Sequence, residues 1–488
     1  PGTTDATGGA MRNPRRWIPL FVGLAIFVGF TLAPSLPDTI DPAGQPVTLT
    51  HQGKAALGLF LLAGIWWVFE VFPVGVTAIA IGIIQSFWMI RDTRVALTDF
   101  MDPSVWFIFG SLLVGAAFAR TGLTRRLAFH MLTKIPEKTH IIYLGVFTMT
   151  AALTLFMAHT AVAAAVFPLL LIVHNLYEPS GRPTRFGKGL FIGMAYTAGA
   201  GSIITLLGAA RGAVAIGFCR ELTGVQSAFF TITHVMLPLG VLMVFLLWIY
   251  VVLVFPPEKK ELPGLREKAR VQYDSLGPVS RKEIGTLVIV TAMVGVLTVR
   301  SFVPALEPIH KSAVILTAGL LFFMVNFLSL KDLEAVPWNV VLLFGGAMSI
   351  GFCLWQTGAA EWMAIGWLSL LEGAPWLVFV MGVTLFVLLM TNFIMNVAAI
   401  AITLPVALVM APYVGVEPEV VMFAALAAAG MPFMLLVGAA PNAIAFESHM
   451  FKSKEFFLYG IPASVMLLVV IGLFVWKIWP WMGMPVLL

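Results

Sequence analysis

The feature that most constrains this chain is a succession of long apolar runs, of which IPLFVGLAIFVGFTL near the start is typical. A run of about 18 or more apolar residues crosses the roughly 30 Å hydrocarbon core as a helix, and roughly half of this sequence lies in such stretches. Lipid offers no partner to an unpaired peptide group, so only helices and closed barrels span it. A barrel needs segments of about ten alternating residues, and no such alternation occurs here. The chain reads as an all-α polytopic membrane protein. The balance of residues agrees, with 60% hydrophobic, 11% charged and a mean hydropathy of +0.96. These values exclude a soluble globular enzyme, a disordered chain and a secreted disulfide scaffold. The two cysteines, Cys219 and Cys353, stand far apart in apolar runs and suggest neither a redox nor a metal framework. A net charge of +5 does not point to nucleic acid, because the basic residues fall in loops where membrane topology accounts for them.

Residues 1–10 (PGTTDATGGA) read as an expression remnant or disordered tail before a start at Met11. Arg12, Arg15 and Arg16 precede a first span with no cleavage site, which predicts a cytoplasmic N-terminus in a multi-pass protein of the inner (cytoplasmic) membrane. Further apolar segments begin near residues 55, 74, 104, 141, 161, 189, 229, 284, 312, 338, 374, 397, 418 and 459. If the pairs at about 141–176 and 374–413 are re-entrant hairpins, about eleven helices cross fully. The basic segments Arg120 to Lys138, Arg182 to Lys188, Lys259 to Lys282 and Lys452 to Lys454 then share the cytoplasmic side. The loops around Asp38 and Asp41, and around Glu361, Glu372, Glu417 and Glu419, fall outside. The one sizeable polar linker, 256–283, separates a first repeat (11–255) from a second (284–488). WKIWPWMGM near the end reads as an interfacial aromatic belt.

The halves match in order. Phe109-Gly110-Ser111 with Thr121-Gly122 answers to Phe344-Gly345-Gly346 with Thr357-Gly358. Thr154, His159 and Pro168 answer, at identical spacing, to Thr391, Asn396 and Pro405. Leu207-Gly208-Ala209-Ala210-Arg211-Gly212-Ala213 answers to Val437-Gly438-Ala439-Ala440-Pro441-Asn442-Ala443. With the charge pattern above, the halves have opposite orientation, the inverted-repeat architecture of secondary transporters. Polar, glycine-rich breaks interrupt the apolar runs at Thr154 to Thr160, Gly199 to Gly212, Thr391 to Val397 and Gly438 to Asn442. Unwound backbone at membrane depth is tolerated where it lines a site. Such breaks offer carbonyls to a cation and helix N-termini to an anion. The alternative for any one of these small residues is close helix packing.

Three blocks carry a resemblance. Trp66-Trp67-Val-Phe-Glu70-Val-Phe-Pro73 with Thr77, Pro337-Trp338 through Gly346, and Pro432-Phe433-Met434 through Ile444 are similar to the divalent anion:sodium symporter family, the INDY-type carriers. The resemblance runs from about Arg15 over nearly the whole chain. It implies an elevator-type carrier of di- or tricarboxylates or sulfate, usually Na⁺-coupled and dimeric, with no cofactor beyond the coupling ion. The family's two Ser-Asn-Thr hairpin tips fall on Ala158-His159-Thr160 and Met395-Asn396-Val397. Its two Thr-Pro-Pro-Asn-like breaks fall on Ala209-Ala210-Arg211-Gly212 and Ala439-Ala440-Pro441-Asn442. The implied substrate residues are therefore His159, Thr160, Ala209, Ala210, Arg211, Asn396, Val397, Ala439, Ala440 and Pro441.

The second half keeps an implied Na⁺ site in Thr391, Ile394, Asn396 and Gly438. The first-half site, Thr154, Ala158, His159 and Gly208, departs from the pattern, because His159 replaces an asparagine and ring nitrogens are poor ligands for a hard alkali cation. His159 could instead be proton-linked, or an interhelical hydrogen-bond partner. Arg211 is costly within a span. It reads as a bidentate anion contact, as a replacement for the missing sodium charge, or as a structural pairing. Few neutral donors remain, since Ala158, Ala209, Met395 and Ala439 replace the family's serines and threonines. Glu70 beside Pro73 is functional or exposed at a helix boundary. The expectation is a Na⁺-coupled carrier of small organic anions. The alternatives are an H⁺-coupled or Na⁺-independent exchanger of sulfate, sulfonate or other carboxylates, then a gated anion channel. A membrane-embedded enzyme is disfavoured by the lack of any metal-ligand or nucleophile-base arrangement.

Overall fold

The computed structural model describes residues 17–40, 46–69, 71–225, 228–300, 303–306, 308–368, 375–393 and 395–488. Residues 1–10, Glu70, Glu372 and Ile394 lie outside them. The first half comprises α1 (Trp17–Leu32), a small hairpin of β1 (Thr39–Ile40) and β2 (Pro46–Val47), α2 (His51–Val68), α3 (Val74–Phe87), α4 (Thr93–Thr98), α5 (Pro103–Thr121) and α6 (Leu123–Lys134). There follow α7 (Thr139–Thr154), α8 (His159–Tyr177), α9 (Arg185–Ser202), α10 (Arg211–Thr223) and α11 (Phe229–Val254). The linker holds α12 (Leu265–Asp274). The second half runs through α13 (Arg281–Arg300), α14 (Lys311–Met324), α15 (Leu330–Glu334), α16 (Trp338–Gln356) and α17 (Ala359–Leu368) to α18 (Trp376–Phe393), α19 (Asn396–Met410), α20 (Pro418–Ala429), α21 (Ala440–Phe446) and α22 (Ser453–Leu473). Every apolar segment anticipated from the sequence is a helix, and among the described residues eight helical segments are long and apolar enough to cross a membrane.

Most of these helices are apolar all round, which is stable only in a core or in lipid. Both occur. On α11, Leu237, Val241, Phe245 and Leu253 lie exposed, as do Val465 and Val469 on α22, forming a lipid-facing surface. The helices α9 and α20 are buried almost throughout and form the centre. Small residues permit this: a Cβ on Gly193 would collide with the Phe147 ring of α7, and one on Gly199 would lie 2.7 Å from the carbonyl of Gly430. The second contact joins the C-terminal ends of α9 and α20, one from each half.

Two buried polar clusters hold the periphery. Arg91 pairs with Asp99, donates from Nε to Gln85 Oε1 (2.9 Å) and from Nη1 to Gln356 Oε1 (2.8 Å), while Gln85 Nε2 donates to Ser349 Oγ (2.9 Å). This ties α3 and α4 to α16. Arg126 of α6 donates to Glu283 (2.6 Å) and to the carbonyls of Gly277 and Pro278, fixing the far end of the linker. The near end is fixed by Glu258, which accepts from the backbone N–H of Arg185 (2.6 Å) and Phe186 (3.3 Å) and from the Tyr177 hydroxyl (3.0 Å), so it caps α9. Burial raises the Glu258 carboxyl, but the donated hydrogen bonds outweigh this and hold it below the usual glutamate range.

Candidate substrate and cation site

The expected breaks are present, and the structure shifts the bounds of each. Between α7 and α8 the chain unwinds at 155–158, and α18 ends at Phe393 while α19 starts at Asn396. α9 continues through Gly199 to Ser202, so the third unwound stretch is 203–210. The fourth opens earlier than anticipated, at Gly430, and ends where α21 starts at Ala440. Pro168 and Pro405 lie inside α8 and α19. The breaks meet across the halves, because α8 packs on α21 and α10 packs on α19.

Side chains satisfy the unwound backbone in the second half. Asn392 Oδ1 accepts from the N–H of Met434 (2.9 Å) and Leu435 (3.1 Å), and Asn442 Nδ2 donates to the carbonyls of Pro432 (2.7 Å) and Leu435 (3.1 Å). Sequence reasoning singled out neither role, although Asn442 lies in the matched block and Asn392 adjoins Thr391. Beside them is a buried group of oxygens. Thr391 Oγ1 donates within 3.0 Å of Asn396 Oδ1 and 3.2 Å of the Ala429 carbonyl. Gly438 closes on it so tightly that a Cβ there would sit 2.8 Å from the Thr391 carbonyl and 2.7 Å from Pro432. Thr391, Asn396 and Gly438 are thus brought together, with the Ala429 carbonyl as a member the sequence did not reveal. A cluster of hydroxyl, amide and carbonyl oxygens suits a hard cation.

The first half repeats this packing with different occupants. A Cβ on Gly208 would lie 2.8 Å from the Thr154 carbonyl and 2.7 Å from Ser202. Here the Gly208 carbonyl is taken by His159, through its backbone N–H (3.0 Å) and its ring Nδ1 (3.2 Å). Thr154 Oγ1 donates to the Ala151 carbonyl (2.6 Å), and Thr205 Oγ1 to the Leu155 carbonyl (2.9 Å). The Gly208 carbonyl thus accepts from His159, whereas among the described residues the corresponding second-half oxygens of Asn396 and Ala429 accept only the Thr391 hydroxyl and no ring nitrogen. Ala158 flanks His159 without a capping side chain.

Arg211 lies at the same centre. It opens α10, is 2% exposed, and donates from Nη2 to Ser202 Oγ (2.7 Å), which itself donates to the Gly199 carbonyl (2.7 Å). The guanidinium rests on the bare Cα of Gly430, where an added Cβ would be 2.6 Å from Nη2. It therefore sits between the C-terminal ends of α9 and α20, whose partial negative charge favours a cation. No carboxylate pairs with it among the described residues. A cavity of about 10 Å³ adjoins it, lined among others by Ser202, Thr205, Ala209 and Gly212, which is space for one water and not for a carboxylate.

The remaining candidates divide by exposure. Thr160 and Ala440 are exposed, and Ala210 and Ala439 are partly so. Ala209, Asn396, Val397 and Pro441 are buried. The first turns of α8 and α19 have no side-chain cap, which, beyond the His159 N–H already given to Gly208, leaves N–H groups as donors for an anion in place of the missing hydroxyls.

Comparison with known proteins shows the family of the chain. The family profile described as the sodium:sulfate symporter transmembrane region matches residues 15–485. The sodium-dependent dicarboxylate transporter SdcS of Staphylococcus saprophyticus is 24% identical over 474 residues, covering 93% of this chain and 91% of that protein. The SdcS protein of Staphylococcus aureus is 24% identical over 459 residues, covering 89% and 88%. Among solved structures, Neisseria gonorrhoeae MtrF, described as illuminating a class of antimetabolite efflux pumps, superposes with a TM-score of 0.60 at 14% identity, covering 94% of each chain. The Alcanivorax borkumensis YdaH transporter gives 0.55 at 13% identity, covering 97% of this chain and 99% of that one. At these identities the two structures establish a shared membrane-transporter fold alone. The match over nearly the full length shows that this multi-pass membrane chain belongs to the sodium:sulfate symporter family, the divalent anion:sodium symporters, which are secondary transporters and not enzymes.

Proposed function

We propose that the protein carries small organic anions of the di- or tricarboxylate class across the inner membrane, coupled to Na⁺ bound at the second-half site. Alternating access works by an elevator movement of two inverted repeats, within a homodimer whose N-termini are cytoplasmic. The observation that carries the reading is the asymmetry between two equivalent positions. The second half presents the oxygens of Thr391, Asn396 and Ala429 beside Gly438. In the first half, His159 occupies the Gly208 carbonyl and Arg211, three residues beyond Gly208, stands on Ser202 as a built-in positive charge. Arg211 thus serves as a fixed surrogate for one sodium, and it favours the anion through space without touching it. The substrate itself is received at the tips by the uncapped first turns of α8 and α19, beside Thr160 and Val397. The SdcS relatives, named as sodium-dependent dicarboxylate transporters, support the substrate class and the coupling ion.

The occupancy of the first-half position by His159 favours a second reading, obligate exchange or H⁺ coupling without sodium. One experiment separates them. Ligands that bind the native state raise its thermal stability. The purified protein is therefore heated with dicarboxylates, citrate, sulfate and small sulfonates, each in Na⁺ and in choline at two pH values. A stabilisation that needs both a dicarboxylate and Na⁺ supports the symporter. Stabilisation by the anion alone, stronger at lower pH, moves the reading to exchange or proton coupling.

A further inference from the structure

The ring of His159 is fixed at one nitrogen and free at the other. His159 opens α8 at the first-half tip, and its Nδ1 lies 3.2 Å from the Gly208 carbonyl, which also accepts the His159 backbone N–H at 3.0 Å. A carbonyl oxygen only accepts, so Nδ1 carries the hydrogen. This assigns the tautomer: a neutral imidazole has a single N–H, and Nε2 is left with a lone pair. Nε2 makes no hydrogen bond among the described residues and is not sealed in, since His159 is partly exposed.

The surroundings favour the neutral ring. Gly208 packs so closely on Ser202 that an added Cβ would stand 2.7 Å from it, and Ser202 Oγ receives Arg211 Nη2 at 2.7 Å. That guanidinium has no carboxylate among the described residues, and its Nη1 is buried without a partner. A second cation against the same backbone would stand uncompensated. Beside the free lone pair are donors. Val162 returns its N–H to the Ala158 carbonyl at 3.1 Å, but the N–H groups of Thr160 and Ala161 ahead of it have no backbone partner among the described residues. The exposed Thr160 hydroxyl makes no hydrogen bond among those residues either. These groups suit a carboxylate, whereas Nε2 repels one. What Nε2 needs is a donor, and a hydroxyl on the carbon next to a carboxylate supplies it. An anion without that hydroxyl leaves the acceptor unpaired once water is displaced.

We propose that His159 selects for a hydroxyl group on the transported anion. The substrate is then a hydroxy-di- or tricarboxylate, with a carboxylate held by the first turn of α8 and the hydroxyl donating to His159 Nε2. This rests on the carrier reading above and narrows its substrate class.

The test uses two pairs of anions that differ by one hydroxyl, malate against succinate and citrate against tricarballylate. Apparent affinities are read from thermal stabilisation of the purified protein at saturating Na⁺. Wild type binds the hydroxyl-bearing member of at least one pair more tightly by roughly three- to thirtyfold, the worth of a hydrogen bond gained where an acceptor is otherwise left unpaired. The readout in the variants is the ratio within each pair. His159→Asn keeps an amide donor at the position of Nδ1 and has nothing at that of Nε2, so the ratio falls towards one. His159→Gln places an amide oxygen near the position of Nε2 and retains part of the preference. A merely structural role would weaken both members alike and leave the ratio unmoved. If His159→Asn does not fold, His159→Phe takes its place with the same expected collapse. Equal affinities within both pairs in wild type, tighter binding of the unsubstituted members, or a ratio unchanged in the variant that lacks the acceptor would overturn the proposal. The carrier reading would survive those results, because the anions still bind. Stabilisation by none of the four would overturn both.

Discussion

Replacing Arg211 by glutamine removes the charge that donates to Ser202 and leaves a shorter, neutral amide in its place. The stability change is a difference between opposing terms. Relief from burying the guanidinium is worth several kcal/mol. Against it stand the interaction with the ends of α9 and α20, up to about 2 kcal/mol each, and about 1 kcal/mol from a charged hydrogen bond becoming a neutral one. The sum lies near zero, and Tm moves by no more than about 3 °C. Substrate affinity does not share this cancellation. A unit positive charge acting on a nearby anion at an effective dielectric constant of about 20 is worth roughly 2–4 kcal/mol, or about thirty- to a thousandfold in KM. The assay is uptake of radiolabelled dicarboxylate into proteoliposomes at saturating Na⁺, with Tm measured on the same preparation. A KM within twofold of wild type at unchanged Tm would refute the reasoning, because the charge would then play no part in holding the anion.

Other substitutions probe separate parts of the account. Gly438→Ala places a methyl group 2.8 Å from the Thr391 carbonyl and costs about 1–3 kcal/mol of stability. It should weaken Na⁺ activation of uptake more than anion affinity at saturating Na⁺, and an unchanged Na⁺ response would remove Gly438 from the cation site. Asp99→Ala leaves Arg91 buried without its partner and should lower stability by about 3–5 kcal/mol, seen as a fall in Tm. For Glu258→Gln the loss is about 1 kcal/mol, the value of a helix cap. Because the Glu258 carboxyl is depressed in the fold, its contribution is full above the ordinary glutamate pKa and vanishes as pH falls through the depressed value. Wild type and variant should therefore differ in Tm at pH 7 and converge below about pH 4.

The helices were legible in the sequence because lipid makes apolarity a nearly sufficient signal. The matched threonines and glycines were legible as well, since close packing of Gly208 on Thr154 and of Gly438 on Thr391 demands the same residue types at the same spacing. Contacts formed across long separations were not. Arg211 could be recognised as costly, but its seat on Gly430 and Ser202 depends on α9 and α20 ending together. The Ala429 carbonyl has no side-chain signature at all. Likewise α10 and α21 were hidden, one short and mixed in character, the other only seven residues long.

The central claim is one Na⁺ site in the second half and a fixed charge where the first half would hold another. The most direct test is the Na⁺ dependence of dicarboxylate uptake into proteoliposomes with choline as the replacing cation, for wild type and Asn396→Ala. The account predicts hyperbolic activation by Na⁺, with a Hill coefficient near one, abolished in Asn396→Ala. Uptake at full rate in choline, or an unchanged Na⁺ response in Asn396→Ala, would contradict it.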